Sequence, residues 1–145
     1  MKHNSLFHIA SLFLLLICQV SAQEGHKSKS VKNIVRIITA VSEAKASNMD
    51  LKIEAEIQTL DVHTISQLAI VAWTLFEPGD AGSSEYDERW HRLFWQSVNH
   101  IKAKETNPEK AAAALSAIKS RLKLDGGESM KLSEMIADLQ KRARN

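Results

Sequence analysis

The chain has 145 residues, 44% of them hydrophobic, with 19 Lys and Arg against 17 Asp and Glu for a formal charge of +2. That length suits one domain with one core, and the near-neutral balance argues against a nucleic-acid or polybasic membrane role. Its single cysteine, Cys18, leaves no partner for an internal disulfide and excludes a multi-cysteine metal centre.

Lys2 and His3 form a basic head, and Leu6 to Val20 is an apolar run broken by His8, Ser11 and Gln19. Its uninterrupted core, Leu12 to Cys18, is shorter than the roughly 20 residues that cross a bilayer. Val20-Ser21-Ala22 supplies the short side chains that signal peptidase needs. Residues 1–22 therefore read as a signal peptide that is removed, which places the protein in the periplasm or outside the cell, with no membrane span left. The 145 residues less these 22 leave 123, and losing Lys2 leaves 18 basic against 17 acidic groups. The mature chain has no cysteine.

Residues 23–30, QEGHKSKS, are polar and aperiodic and read as a flexible leader. A single helical bundle domain is expected over residues 31–145. Ser30 is a cap candidate for a first helix carrying Val31, Ile34, Val35, Ile38 and Val41, closed by Ser47-Asn48. LKIEAEIQTL, residues 51–60, alternates like a strand at Leu51, Ile53, Ala55 and Ile57. It also fits a helix at Ile53, Ile57 and Leu60, and its Glu, Ala, Lys and Gln favour helix. It either continues into the next segment or breaks at Asp61. From Val62 to Phe76 apolar groups appear on nearly every side, so this helix belongs at the centre.

Glu77-Pro78-Gly79-Asp80 stops that helix, and Ser84 caps the next, with Glu85, Asp87 and Glu88 in its first turn. Tyr86, Trp90, Leu93, Phe94, Ser97, Val98 and Ile101 share its core face, and it ends near Lys102 or Lys104. Asn107-Pro108-Glu109 starts the following helix, with Ala111, Leu115, Ile118 and Leu122 inward. Its run of alanines permits close approach. Asp125-Gly126-Gly127 ends it. A last helix carries Leu132, Met135, Ile136 and Leu139 and finishes in Lys141, Arg142 and Arg144.

Few residues carry recognisable chemistry. Glu88 and His91 form one Glu-x-x-His pair, which binds metal in di-iron bundles only when the motif occurs twice. His63 opens the central helix with Gln67 and Thr74 roughly on its face, and is either a hydrogen-bonded structural histidine or a metal or haem ligand. No nucleophile elbow, Gly-rich phosphate loop or His-Glu-x-x-His stands in the chain. Trp95 lies about 140° round the helix from Trp90, beside His91 and close to Lys102. It either packs under the last helix or the Pro78 loop, or it stands out as an anchor for a partner with His91 and Lys102.

TLFEPGD, then ERWHRLFW, then PEKAAAALSAIKSRL together resemble the cytochrome c-prime type of exported four-helix bundle, over about residues 30–122. That family attaches haem through Cys-x-x-Cys-His in its last helix. Ser120-Arg121-Leu122-Lys123 stands near the corresponding place here, so the resemblance implies the bundle without the covalent haem. The expected fold is all-α, an up-and-down four-helix bundle with one or two additional short helices. The expected function is an exported non-enzymatic bundle, with no cofactor, that binds a partner protein or a small apolar ligand. The alternative is a haem- or metal-binding electron-transfer bundle using His63, His91, Glu88 or a methionine such as Met49, Met130 or Met135.

Overall fold

The computed structural model of the chain describes residues 24–76 and 84–145, and all regular structure among them is helical. The signal segment 1–22 and the Pro78 turn lie outside the described residues. The helices are α1 (Glu24–Glu43), α2 (Met49–Ile57), α3 (Val62–Phe76), α4 (Ser84–Lys104), α5 (Pro108–Arg121) and α6 (Gly126–Ala143), with a 3-10 turn at Ala46–Asn48 before α2. The chain divides into two compact units, residues 1–43, which hold α1, and residues 44–145, which hold α2 to α6.

Helix α1 begins at Glu24, well ahead of Ser30, so residues 24–30 of the expected flexible leader are helical instead. Lys27 and Lys29 are good helix formers. Ile34, Ile37 and Val41 are the buried residues, at steps of three and four. Ile37 takes the core position expected of Ile38, and Val35 is exposed.

In the second unit, α2 is a helix and not a strand. Met49, Ile53, Ile57 and Leu60 are buried at steps of four, four and three, while Leu51 is 73% exposed. A strand would have put Leu51 and Ile53 on the same side. The chain then breaks, and Asp61 starts α3. Its Oδ1 accepts the Thr64 N–H at 2.8 Å and its Oδ2 accepts the Thr64 hydroxyl at 3.0 Å, so 51–60 and 62–76 are two elements. Partial burial acts to raise the Asp61 pKa, but these two hydrogen bonds, aided by His63, hold it below the usual carboxylate value.

Helix α3 buries Thr64, Ile65, Leu68, Ala69, Val71, Ala72 and Trp73, most of its girth. Its principal neighbour is α4, which buries Trp90, Leu93, Phe94, Ser97, Val98 and Ile101. Trp73 meets Phe94 and Phe76 meets His91, so the numbering falls on one helix as it rises on the other and the pair is antiparallel. Each fully buried Leu, Ile or Phe of this interface contributes about 1.5–3 kcal/mol relative to an exposed one. Ser97 is buried too, its hydroxyl donating to the Leu93 carbonyl at 2.7 Å.

Asn107 caps α5 through Oδ1, which accepts the Glu109 N–H at 2.9 Å, with Pro108 at the first helical position. Ala111, Ala112, Leu115 and Ile118 are buried, and α5 touches both α3 and α4. The alanines give it no bulk to hold these helices away. Asp125-Gly126-Gly127 does not end α5, which stops at Arg121. It begins α6: Asp125 Oδ1 accepts the Glu128 N–H at 2.9 Å, and both glycines lie in the first turn. There the orphan N–H groups face no intrahelical acceptor, so glycine costs little. Leu132, Ile136 and Leu139 of α6 are buried, and its main neighbour is α5. Successive helices α2 to α6 run up, down, up, down and up, an all-α up-and-down bundle of four long helices with the short α2 beside α4.

Candidate functional site

Of the residues singled out for chemistry, His63 lies on α3, and Glu88, His91, Trp95 and Lys102 lie on α4. Its apolar face looks toward α3 and α5, and a polar edge runs along each side. One edge, Arg92, Gln96, His100 and Lys104, recurs every fourth residue and so forms a straight row. Gln96 donates to Asp50 Oδ1 of α2 at 2.8 Å, and Arg92 lies 3.9 Å from the same oxygen. Lys104 donates to the carbonyls of Gln58, at 3.1 Å, and Leu60, beyond the end of α2. These are the orphan carbonyls of a helix C-terminus, where a cation is favoured. His100 stands between these rungs. Its Nε2 is buried and has no hydrogen-bond partner among the described residues. Burial, with the nearby Lys104 ammonium, lowers the His100 pKa from its ordinary value, and Glu54 of α2 pulls the other way.

The other edge is His91, Trp95 and Lys102, and all three meet α6. His91 Nε2 donates to Glu128 Oε1 at 2.8 Å. Lys131 Nζ sits 3.9 Å above the Trp95 ring. Lys102 lies 3.7 Å from Asp138 Oδ2. Both sets of numbers rise together, so α4 and α6 are parallel here. Trp95 is 7% exposed, with its ring edge-on to Phe94 at 5.1 Å. The reading of Trp95 as an exposed anchor is therefore corrected: it packs under the last helix. Its indole, about 140° from Trp90, is buried because α6 covers that side of α4 as well.

The aromatic rings form one continuous row. Trp73 is 5.2 Å from Phe76 and 4.9 Å from Phe94, and Phe76 is 5.1 Å from His91. Trp73, Phe94 and Trp95 are buried, whereas Phe76 and His91, where α3 ends, are half-buried. Residues at i and i+3 on α3 and at i, i+3 and i+4 on α4 produce this row, and that spacing is visible in the sequence. That it runs across two helices is not.

The metal or haem residues are scattered. His63 Nε2 accepts from the Gln67 amide at 3.1 Å, one turn along its own helix. Glu88 is paired with Arg92, and His91 with Glu128. His63 lies 13 residues before Phe76 on α3, about 20 Å along the axis, and His91 is beside Phe76. His63 and His91 thus mark opposite ends of the bundle. Among the described residues no three His, Cys, Asp or Glu side chains gather where they could hold a metal ion. Met49, the first residue of α2, is buried, Met130 is 62% exposed and Met135 is half-buried. No described helix is long and apolar enough to cross a membrane. Comparison with protein-family models, with curated proteins and with solved structures gives no match.

Proposed function

We propose that the protein is an exported, non-enzymatic helical bundle that binds a partner protein or a small apolar ligand. The observation that carries this reading is the aromatic row, whose outer members Phe76 and His91 remain partly open at one end of α3. A half-buried aromatic pair on a rigid backing is the kind of surface that binding hot spots use. Charged groups on α4 singled out earlier are engaged in structure: His91 meets Glu128, Glu88 meets Arg92 and Lys102 meets Asp138. The apolar segment Leu6 to Val20 supports export.

The test uses residues 23–145 immobilised and exposed to an extract of the native compartment, beside the Phe76→Ser variant. A species retained in stoichiometric amount by the first and lost by the second is expected. Retention that ignores Phe76, or a Soret band or stoichiometric metal on the natively purified protein, overturns the reading. Protein sequencing of the natively produced chain tests export separately: a start at Gln23 is expected, and an intact Met1 in the cytoplasm contradicts it.

A further inference from the structure

Of the four residues on the α2-facing edge of α4, three reach an acceptor and one does not. Arg92 and Gln96 share Asp50, and Lys104 binds the Gln58 and Leu60 carbonyls. His100, in the middle of the row, has a buried Nε2 with no acceptor among the described residues. We infer that His100 is a pH-sensitive rung, and that its protonation undocks α2 from α4.

The chemistry is specific to this position. His100 is half-buried as a residue, but its Nε2 atom is closed to solvent. In the neutral ring Nε2 lacks a partner whichever tautomer it takes, a modest cost; protonation makes it a cationic donor that no described group accepts from, a larger one. The charged groups acting on it are Lys104 on its own helix and Glu54 on α2. No charge from α3 or α5 acts on it, and the buried residues of these helices are mainly apolar, Leu68, Ala69, Ala112 and Leu115 among them. The Lys104 ammonium is fixed by two carbonyls of the α2 terminus, so a second cation one turn away strains the contact that holds that terminus. Of the groups in this seam, α2 is the one free to yield. It has nine residues, its Asn48 cap makes no side-chain bond, and α4 is the main helix it rests on. Release uncovers Met49, Ile53 and Ile57.

The sign follows from the lowered folded pKa. The docked state binds fewer protons than the undocked one between the folded pKa and about 6.5, so docking strengthens with rising pH there. It is at full strength above the ordinary histidine value and is lost as pH falls from there toward the folded pKa. Amide hydrogen exchange, corrected for the intrinsic effect of pH, measures this in the protein itself. Protection of residues 49–60 is expected to fall by up to about tenfold per pH unit, the limit for one proton, while that of Leu68–Trp73 holds. His100→Gln should flatten the profile and His63→Gln should leave it. A flat wild-type profile, an equal loss of protection in α3, or a pH dependence surviving in His100→Gln overturns the inference. Should His100→Gln fail to fold, proton titration of the His100 ring by NMR decides: its midpoint must lie below 6.5 and coincide with the loss of α2 protection.

Discussion

Replacing Trp73 with alanine perturbs the contact between α3 and α4 at its most aromatic point. The indole is 3% exposed and lies 4.9 Å from Phe94 and 5.2 Å from Phe76. A buried tryptophan removes about 150–250 Å² from water, worth about 4–6 kcal/mol at 25 cal/mol per Å². Its ring pairs add about 0.5–1.5 kcal/mol each. Against this, Nε1 is buried with no partner among the described residues, which costs about 1–3 kcal/mol that the alanine variant recovers. The expected net loss is about 3–5 kcal/mol. Urea unfolding followed by far-UV circular dichroism reads it without relying on the removed fluorophore. Trp73→Phe, which keeps a ring and removes the unpartnered N–H, should stay within about 1 kcal/mol of the parent. A loss well under 1 kcal/mol for Trp73→Ala would refute the placement of α3 at the centre of the bundle.

Other outcomes follow from the same packing. Trp95→Ala should cost about 3 kcal/mol or more, because α6 covers it, and a cost under 1 kcal/mol would restore it as a surface anchor. Lys131→Ala, which removes only the cation above that ring, should cost about 0.5–1 kcal/mol by the same unfolding assay. Ala112→Leu should destabilise by about 1–3 kcal/mol, since α5 touches both α3 and α4. Asp61→Ala should cost about 0.5–2 kcal/mol at neutral pH through the lost cap. The folded Asp61 pKa is lowered, so its contribution is present above the ordinary value near 4 and disappears as pH falls through the folded one. Acid unfolding of Asp61→Ala should accordingly lose part of the parent's slope below pH 4, and an unchanged slope would contradict this.

Much of this fold was legible because helix punctuation is local. Asn107-Pro108 and the steps of three and four residues through Trp90, Phe94, Val98 and Ile101 need no knowledge of what lies opposite. The errors also have local causes. Asp125-Gly126-Gly127 looks like a stop, yet aspartate is equally a start, and here its carboxylate caps α6. Residues 24–30 lack an apolar period, but helix α1 includes them through propensity. Over Leu51 to Ile57 a strand-like alternation competed with helix formers, and the helix that those residue types favour is the one present. The candidate site was less legible, for a reason of scale. His91, Trp95 and Lys102 were correctly placed on one flank of α4, but their partners Glu128, Lys131 and Asp138 lie 36 to 37 residues away. Nothing in one helix reveals which neighbour covers its flank. The same holds for His100, whose significance comes from α2 lying alongside.

The central structural claim is that α3 and α4 form the innermost pair, with α2 and α6 held at the two polar edges of α4. Residue-resolved amide exchange in native conditions tests it most directly. The amides of Leu68–Trp73 and Leu93–Ile101 should exchange slowest, at the rate of global unfolding, with those of α2 and the ends of α6 opening sooner. Faster exchange in α3 than in α6 would contradict the arrangement.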